Sequence, residues 1–447
     1  MINNSSLYPL TLLTSLVFLV MSFFSPVGYS YGYISTIFAI TLIEVIMYYV
    51  RWGKVHGNFL DFEPIFLVIA LIMGFTFPLL IYAYDDSTAY SFSWGLEYSL
   101  NYFNKGACLT ALGITSFMAG SLRPQKKYRE KNIHGRISPK LDSSFLMIGL
   151  LLILAIFIYL GGFERYQKIY HYEDDGGGGI LTYIEVFIIA FAEVIVANEC
   201  WNSLRNPKYK FFNKYIIFVT VIALLFAVVG NRTFALYIIL PIAIFVASTK
   251  FYLSFSKFLI AIAIGAISMI GFRFIRSGSG YDAELDWYYN IADIMIPNTT
   301  TYLACELVDK TGITYGLSML GGSILGAIPF SQSILKALTG IGGESTNSSS
   351  IFTLYLGSQS GTGTNFVSDS YLGFGAIGVF VIVFLSGYAL NWARSRGHNS
   401  YYALIVYLVF CGFAVYAVRA SLLFSIRFIF YAVLTAYLNL KLTKKCV

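Results

Sequence analysis

Apolar runs of roughly 18 residues or more recur along the whole chain, each able to cross a hydrocarbon core of roughly 30 Å as a helix. Twelve spans are expected, roughly at 8–25, 30–50, 63–84, 105–122, 142–160, 179–199, 215–231, 233–249, 257–275, 368–390, 400–418 and 420–439. The pattern is that of an all-α polytopic membrane protein. The first run follows an N-terminus without charged side chains and has no small-residue cleavage site. It therefore reads as a retained span rather than a signal peptide.

Composition agrees with the pattern. The 447 residues are 57% hydrophobic and 12% charged, about half the charge of an ordinary globular chain. Basic residues cluster at Arg51/Lys54, Arg123–Lys140, Arg205–Lys214, Lys250/Lys257, Arg394/Arg396 and Lys441–Lys445. Each cluster follows an even number of spans, so the positive-inside rule puts all six in the cytoplasm, with both termini. Twenty of the 30 Lys/Arg lie in these clusters, so the net charge of +7 is mostly a topology signal and calls for no nucleic acid.

The outer side is uneven. One outer connection, from about Ser277 to Val367, far exceeds the roughly 15 residues beyond which loops are usually functional or disordered. The chain thus divides into spans 1–9 (1–276), a large outer segment (277–367) and spans 10–12 (368–447). The outer segment holds no Arg and no His. It carries Trp287, Tyr288 and Tyr289, and an amphipathic or re-entrant-looking stretch from about Tyr315 to Leu338. A small, mostly helical cap is expected, with glycine-rich turns at "GIGGESTNSSS" (340–350) and "GSQSGTGTN" (357–365).

Other motifs exclude more than they suggest. Of five cysteines only Cys305 is expected outside, so a disulfide framework is not expected, and no CxxC spacing exists. Of four histidines only His171 is expected outside. P-loop, GxGxxG and HExxH motifs are all missing from the sequence.

The cations carry more. The apolar stretch from Tyr215 to Ser248 would be about 50 Å long as one helix at 1.5 Å per residue. It must turn near Asn231-Arg232, which puts Arg232 at the outer rim. Arg273 and Arg276 ("FRFIR") close the ninth span on one helix face. Arg419 is expected at the outer turn between the last two spans, with Arg427 about two helical turns further in. Five arginines are thus expected at the outer end of the bundle, where Lys105 is the only lysine. Any one of them could snorkel to headgroups. An ionisable residue inside a span is nonetheless a functional candidate, and guanidinium grips phosphate bidentately while staying charged. Together the five point to a phosphate or pyrophosphate site.

A resemblance fits this order of features. "GNRT" between two tight spans, "FRFIR" closing a span, a large outer segment and then "SDSYLGFGAIGVFV" (Ser368–Val381) resemble the Wzy oligosaccharide repeat-unit polymerases of O-antigen and capsule assembly, over roughly residues 215–390. The resemblance implies a GT-C-like integral-membrane glycosyltransferase of the bacterial inner membrane, independent of metal and cofactor. Donor and acceptor would both be oligosaccharides on undecaprenyl pyrophosphate, and a chain-length-regulating co-polymerase would be a partner. Such chemistry needs preorganised cations for the leaving pyrophosphate and a base for the attacking hydroxyl. Arg232, Arg273 and Arg276 fit the first role, with Arg419 and Arg427 as further candidates. For the base, Asp369 and Glu344 stand beside Asp282, Glu284 and His171. Gly373, Gly375 and Gly378 read as helix-packing residues.

Rival readings stay open. A glycan ligase would be expected to carry a histidine in the large outer segment. A flippase or transporter would use intramembrane carboxylates such as Glu44, Glu185 and Glu193. A polyprenyl-phosphate-sugar glycosyltransferase would favour an early acidic pair, for which "YDD" (84–86) is the candidate.

Overall fold

The computed structural model describes residues 7–84, 100–124, 141–164, 180–276, 287–342, 345–357 and 362–445. Every regular element among them is helical. The main helices are α1 (Leu7–Phe23), α2 (Tyr31–Val55), α3 (Phe62–Thr76), α4 (Phe103–Leu122), α5 (Ser144–Tyr159), α6 (Ile180–Arg205), α7 (Lys214–Val229), α8 (Arg232–Thr249), α9 (Phe255–Arg276), α10 (Trp287–Thr311), α11 (Ser331–Thr339), α12 (Ser348–Leu356), α13 (Phe366–Gly397), α14 (Tyr401–Gly412) and α15 (Ser425–Lys445). Six stretches are long and apolar enough to cross a membrane: Tyr31–Val55, Phe62–Leu80, Ile180–Arg205, Arg232–Thr249, Phe366–Gly397 and Leu422–Leu442. Shorter apolar helices accompany them. Many large side chains on these helices face outward, among them Leu13, Ile43, Leu152 and Val228. Such faces suit lipid rather than water, as in a membrane-embedded protein.

The chain forms two compact units. One comprises Met1–Pro124, Asp282–Asn391 and Ala414–Phe424; the other comprises Gln125–Tyr281, Trp392–Phe413 and Ser425–Val447.

The first unit is built around α4, in which every residue except Lys105 is buried. Its glycines recur every seven residues, and a Cβ on any of them would collide with a neighbour. Gly106 lies against the Tyr302 ring, Gly113 against Phe366, and Gly120 against the Phe384 carbonyl. Without side chains at these positions α10 and α13 approach α4 closely, as small residues allow between membrane helices. Phe103 stacks on Tyr302 with centroids 4.3 Å apart, and Phe66 meets both Phe117 (4.3 Å) and Phe366 (5.2 Å). Pro78 sits in a π-helical turn, Phe77–Ile81, that continues α3; proline has no N–H for the regular ladder.

In the same unit α13 is broken. Phe374 (φ −142°, ψ 15°) and Gly375 (φ 68°, ψ −161°) leave helical geometry, and the positive φ is one that glycine adopts without strain. The carbonyls freed at the break are taken by another segment. Thr314 N–H donates to Leu372 O and Gly316 N–H to Gly373 O, both at 2.9 Å. The uninterrupted tenth span expected from hydropathy is therefore two helical pieces in series.

The second unit centres on α6. Gly149 of α5 packs against Phe191. The α7–α8 hairpin turns where expected, and the structure explains the first two letters of "GNRT". Gly230 is left-handed (φ 116°) and ends α7, which lets Asn231 N–H reach Phe226 O at 2.9 Å. Asn231 caps α8 by accepting from Phe234 N–H at 3.0 Å. Phe226 and Phe234 stack at 3.8 Å across the hairpin. Arg232 is the first residue of α8.

The end of the chain differs from expectation. The eleventh span was expected to run to 418, with a tight turn at Arg419. Instead α14 stops at Gly412, and Phe413–Phe424 forms a non-uniform segment: a short turn at Tyr416–Arg419, extended Ala420 (φ −148°, ψ −168°) and a 3-10 turn at Leu422–Phe424. Since α15 begins only at Ser425, Arg427 lies in its first turn rather than two turns deep. Apolar side chains continue through the segment and hide the break from a hydropathy reading.

Candidate functional site

In the first unit, polar residues from three sequence-distant stretches meet in the interior. They come from "NTTTY" on α10 (298–302), "TGTN" before α13 (362–365) and "SDS" near its start (368–370). Asn365 caps α13, accepting from Val367 N–H (2.9 Å) and Ser368 N–H (2.8 Å). Its amide donates to Thr300 Oγ1 (3.1 Å) and Thr301 Oγ1 (2.9 Å). The Ser368 hydroxyl lies 3.1 Å from both Thr300 Oγ1 and Thr364 Oγ1, and Ser348 donates to Thr364 at 3.0 Å. A small cavity of about 10 Å³ beside this cluster, lined partly by Thr110, Asn298, Asn365 and Val418, has room for about one water.

Asp369 is set among these neutral groups and is 1% exposed. Among the described residues neither carboxylate oxygen has a hydrogen bond of ordinary geometry. Its polar neighbours are the side chains of Ser348, at the start of α12, and Ser421, in the Phe413–Phe424 segment. A buried carboxylate so weakly satisfied is costly and is the kind of group that takes up a proton during catalysis. Arg419, two residues before Ser421, is exposed.

Two lysines elsewhere in the first unit are engaged. Lys105 pairs with Asp309 at 3.4 Å and lies over the rings of Tyr371 (5.4 Å) and Tyr102 (6.0 Å). Lys310 donates to Glu306 (2.6 Å) and Tyr355 (2.7 Å). The Glu306 bond, before the Tyr355 one, raises its pKa. Burial pushes the Cys305 thiol up to about 12, so it is no nucleophile at neutral pH.

In the second unit Arg232 and Arg427 occupy the first turns of α8 and α15. These helices meet through Tyr237 and Phe428, whose rings are 5.5 Å apart. Arg427 lies over Phe428 at 4.9 Å. Arg273 and Arg276 fall in the last turn of α9, and their side chains lie outside the described residues. Glu344, Asp282, Glu284, His171 and Asp86 also lie outside them.

The described structure therefore brings Asp369 and the Arg419-bearing segment together, and separately places Arg232 and Arg427 on neighbouring helices. Sequence reasoning missed Asn365, Thr300, Thr301, Ser348 and Ser421. For Ser348 and Asn365 the available signal was an uncharged Ser/Thr/Asn run on both sides of "IFTLYL", and for Thr300 and Thr301 the "NTTT" run, each of which reads as turn composition until its burial is known; Ser421 had no such signal.

Compared with known proteins, the chain matches no family model, no characterised protein and no solved structure.

Proposed function

We propose that the protein polymerises undecaprenyl-pyrophosphate-linked oligosaccharide repeat units at the outer face of the bacterial inner membrane, as a twelve-span, GT-C-like glycosyltransferase with both termini in the cytoplasm. The observation that carries this reading is Asp369, a buried carboxylate that no charged group and no hydrogen bond of ordinary geometry satisfies among the described residues, in an otherwise neutral hydroxyl and amide nest. Asp369 takes the proton of the acceptor hydroxyl. The hydroxyl oxygen forms the new bond to the anomeric carbon, and the carbon–oxygen bond to pyrophosphate breaks. Undecaprenyl pyrophosphate departs with the electron pair, stabilised by arginines drawn from Arg232, Arg273, Arg276, Arg419 and Arg427. The energy is already in the pyrophosphate linkage, so no nucleotide sugar, metal or cofactor is needed. A chain-length-regulating co-polymerase is the expected partner.

The test is the glycan profile of cells lacking the protein. Surface glycan capped by a single repeat unit, in place of a ladder of lengths, is the expected result. Purified protein should turn the lipid-linked unit into a ladder without nucleotide sugar. An unchanged ladder after deletion removes the assignment. Polymer held on carrier lipid would point instead to a ligase. Impermeant thiol labelling of Ser345→Cys but not Ser138→Cys, in a cysteine-free background on intact cells, checks the sidedness.

One observation favours a second reading. The break in α13 at Phe374–Gly375 is a discontinuous helix of the kind that transporters use to hold substrates. A transporter or flippase defect would leave lipid-linked units on the cytoplasmic side and remove surface glycan altogether.

A further inference from the structure

A base must touch the hydroxyl it deprotonates, yet Asp369 is 1% exposed. The structure is thus a closed state of the proposed site, and something has to move before an acceptor can reach the carboxylate. Two of its polar neighbours mark the cover: Ser348 on α12 and Ser421 on the Phe413–Phe424 segment. Ser348 opens a regular helix with an Asn347 cap and is tied to Thr364 at 3.0 Å. The segment bearing Ser421 is the looser element: a turn, an extended residue and a 3-10 turn in succession. Elements without a continuous backbone ladder open at lower cost.

The same segment presents a charge. Arg419 is exposed and, like Lys54 and Lys336 of the same unit, has no ion pair among the described residues; it is the one of these that lies on the segment beside Asp369. The leaving pyrophosphate is one bond from the carbon that the activated hydroxyl attacks, so a ligand for it belongs close to the base. Arg419 stands two residues from Ser421, the neighbour of Asp369 on this segment.

We propose that Phe413–Phe424 is a strap over Asp369, and that Arg419 binds the pyrophosphate of the lipid-linked donor and in doing so draws the strap aside. The proposal rests on the polymerase reading for the identity of the anion and for the role of Asp369. It adds an order of events: donor pyrophosphate engages first, and the base becomes available to the acceptor afterwards. The enzyme would thereby keep its carboxylate away from water until a donor is in place.

The probe is inorganic pyrophosphate added to the full-length, cysteine-free protein in lipid nanodiscs. A thiol at Asp369→Cys should react slowly with an impermeant reagent alone. It should react faster with pyrophosphate by about tenfold, the scale of one charge-assisted hydrogen bond. Adding Arg419→Ala should abolish the acceleration, and Arg419→Lys should restore part of it. Because Asp369→Cys could disturb folding, amide exchange over residues 413–424 of the wild type gives a second readout. It should quicken with pyrophosphate in the wild type and not in Arg419→Ala. Fast labelling without pyrophosphate, or no response of either readout to it, overturns the strap. A response that survives Arg419→Ala overturns the role of Arg419. Neither measurement needs turnover. A polymer ladder with an unresponsive strap removes this proposal alone, and a responsive strap without any ladder removes the polymerase reading.

Discussion

Glu199 and Asp369 are equally shut away from solvent, at 0% and 1% exposure, and their surroundings are opposite. Glu199, on α6, accepts from Ser143 Oγ at 2.6 Å, Tyr209 OH at 2.5 Å and Asn213 Nδ2 at 2.5 Å. Those donors lie on two stretches of chain, so the carboxylate, itself on α6, ties the entry to α5 and the 206–213 connection to its own helix in one knot. Neighbouring bonds extend the knot: Asn202 holds Leu141 through both its carbonyl and its amide groups, and Tyr401 donates to Asn198. Asp369 has only the hydroxyls of Ser348 and Ser421 beside it, neither in ordinary hydrogen-bond geometry, while the Thr300, Thr364, Ser368 and Asn365 side chains nearby are bonded to one another. A carboxylate with its acceptor sites filled has a structural use. One left open has been kept at a cost to stability, and function is the reason to look for.

That contrast can be broken most directly at Asp369. Asp369→Asn should lower polymerisation by roughly 10²- to 10⁴-fold, the usual contribution of a general base. It should leave the melting temperature in detergent unchanged or higher, since an unsatisfied buried acid is removed. A large loss of stability with residual activity would make Asp369 another Glu199. The mirror experiment is Glu199→Ala, which should cost about 2–4 kcal/mol of stability by stripping three donors of their acceptor. Activity per folded molecule should persist, as ladder formation normalised to folded protein would register. Arg232→Lys sharpens the comparison from the cation side. It keeps the charge and loses the planar fork, so a pyrophosphate ligand should lose about tenfold or more in activity at equal protein level, whereas a snorkelling rim residue should tolerate it. The smallest effect is expected from Tyr209→Phe, which removes one bond of the Glu199 knot and should cost about 1–2 kcal/mol. Chemical denaturation would resolve it.

Much of the bundle was legible in the sequence because hydropathy and turn chemistry report on it directly. The α7–α8 hairpin is the clearest case: Gly230 and Asn231 are a helix stop and a helix start written side by side. The interruptions were not legible. At Phe374–Gly375 and across Phe413–Phe424, where Arg419 and Ser421 interrupt a mostly apolar run, the backbone changes partners, and a hydropathy window registers only the average of the side chains. Arg427 was misplaced by two turns for that reason. Asp369 could be found as an acid at the start of a span. Its isolation could not, since that depends on Thr300, Ser348 and Asn365 being turned toward one another by distant stretches of chain. Taken singly, each reads in the sequence as an ordinary polar residue of the long outer segment.

The glycine column of α4 has a consequence for anyone mapping this protein by mutation. Gly106, Gly113 and Gly120 touch Tyr302, Phe366 and a carbonyl of α13, and Gly387 returns the contact by facing the Phe117 carbonyl. A saturation screen scored on cell-surface glycan would find these positions as intolerant as the chemistry itself, because any side chain there wedges two helices apart and shifts the start of α13. Loss-of-function frequency alone would draw the active site along α4, one helix away from the carboxylate. Scoring abundance and glycan in parallel would separate the two, with the glycine variants disappearing from the membrane and the Asp369 variants remaining there, intact and silent.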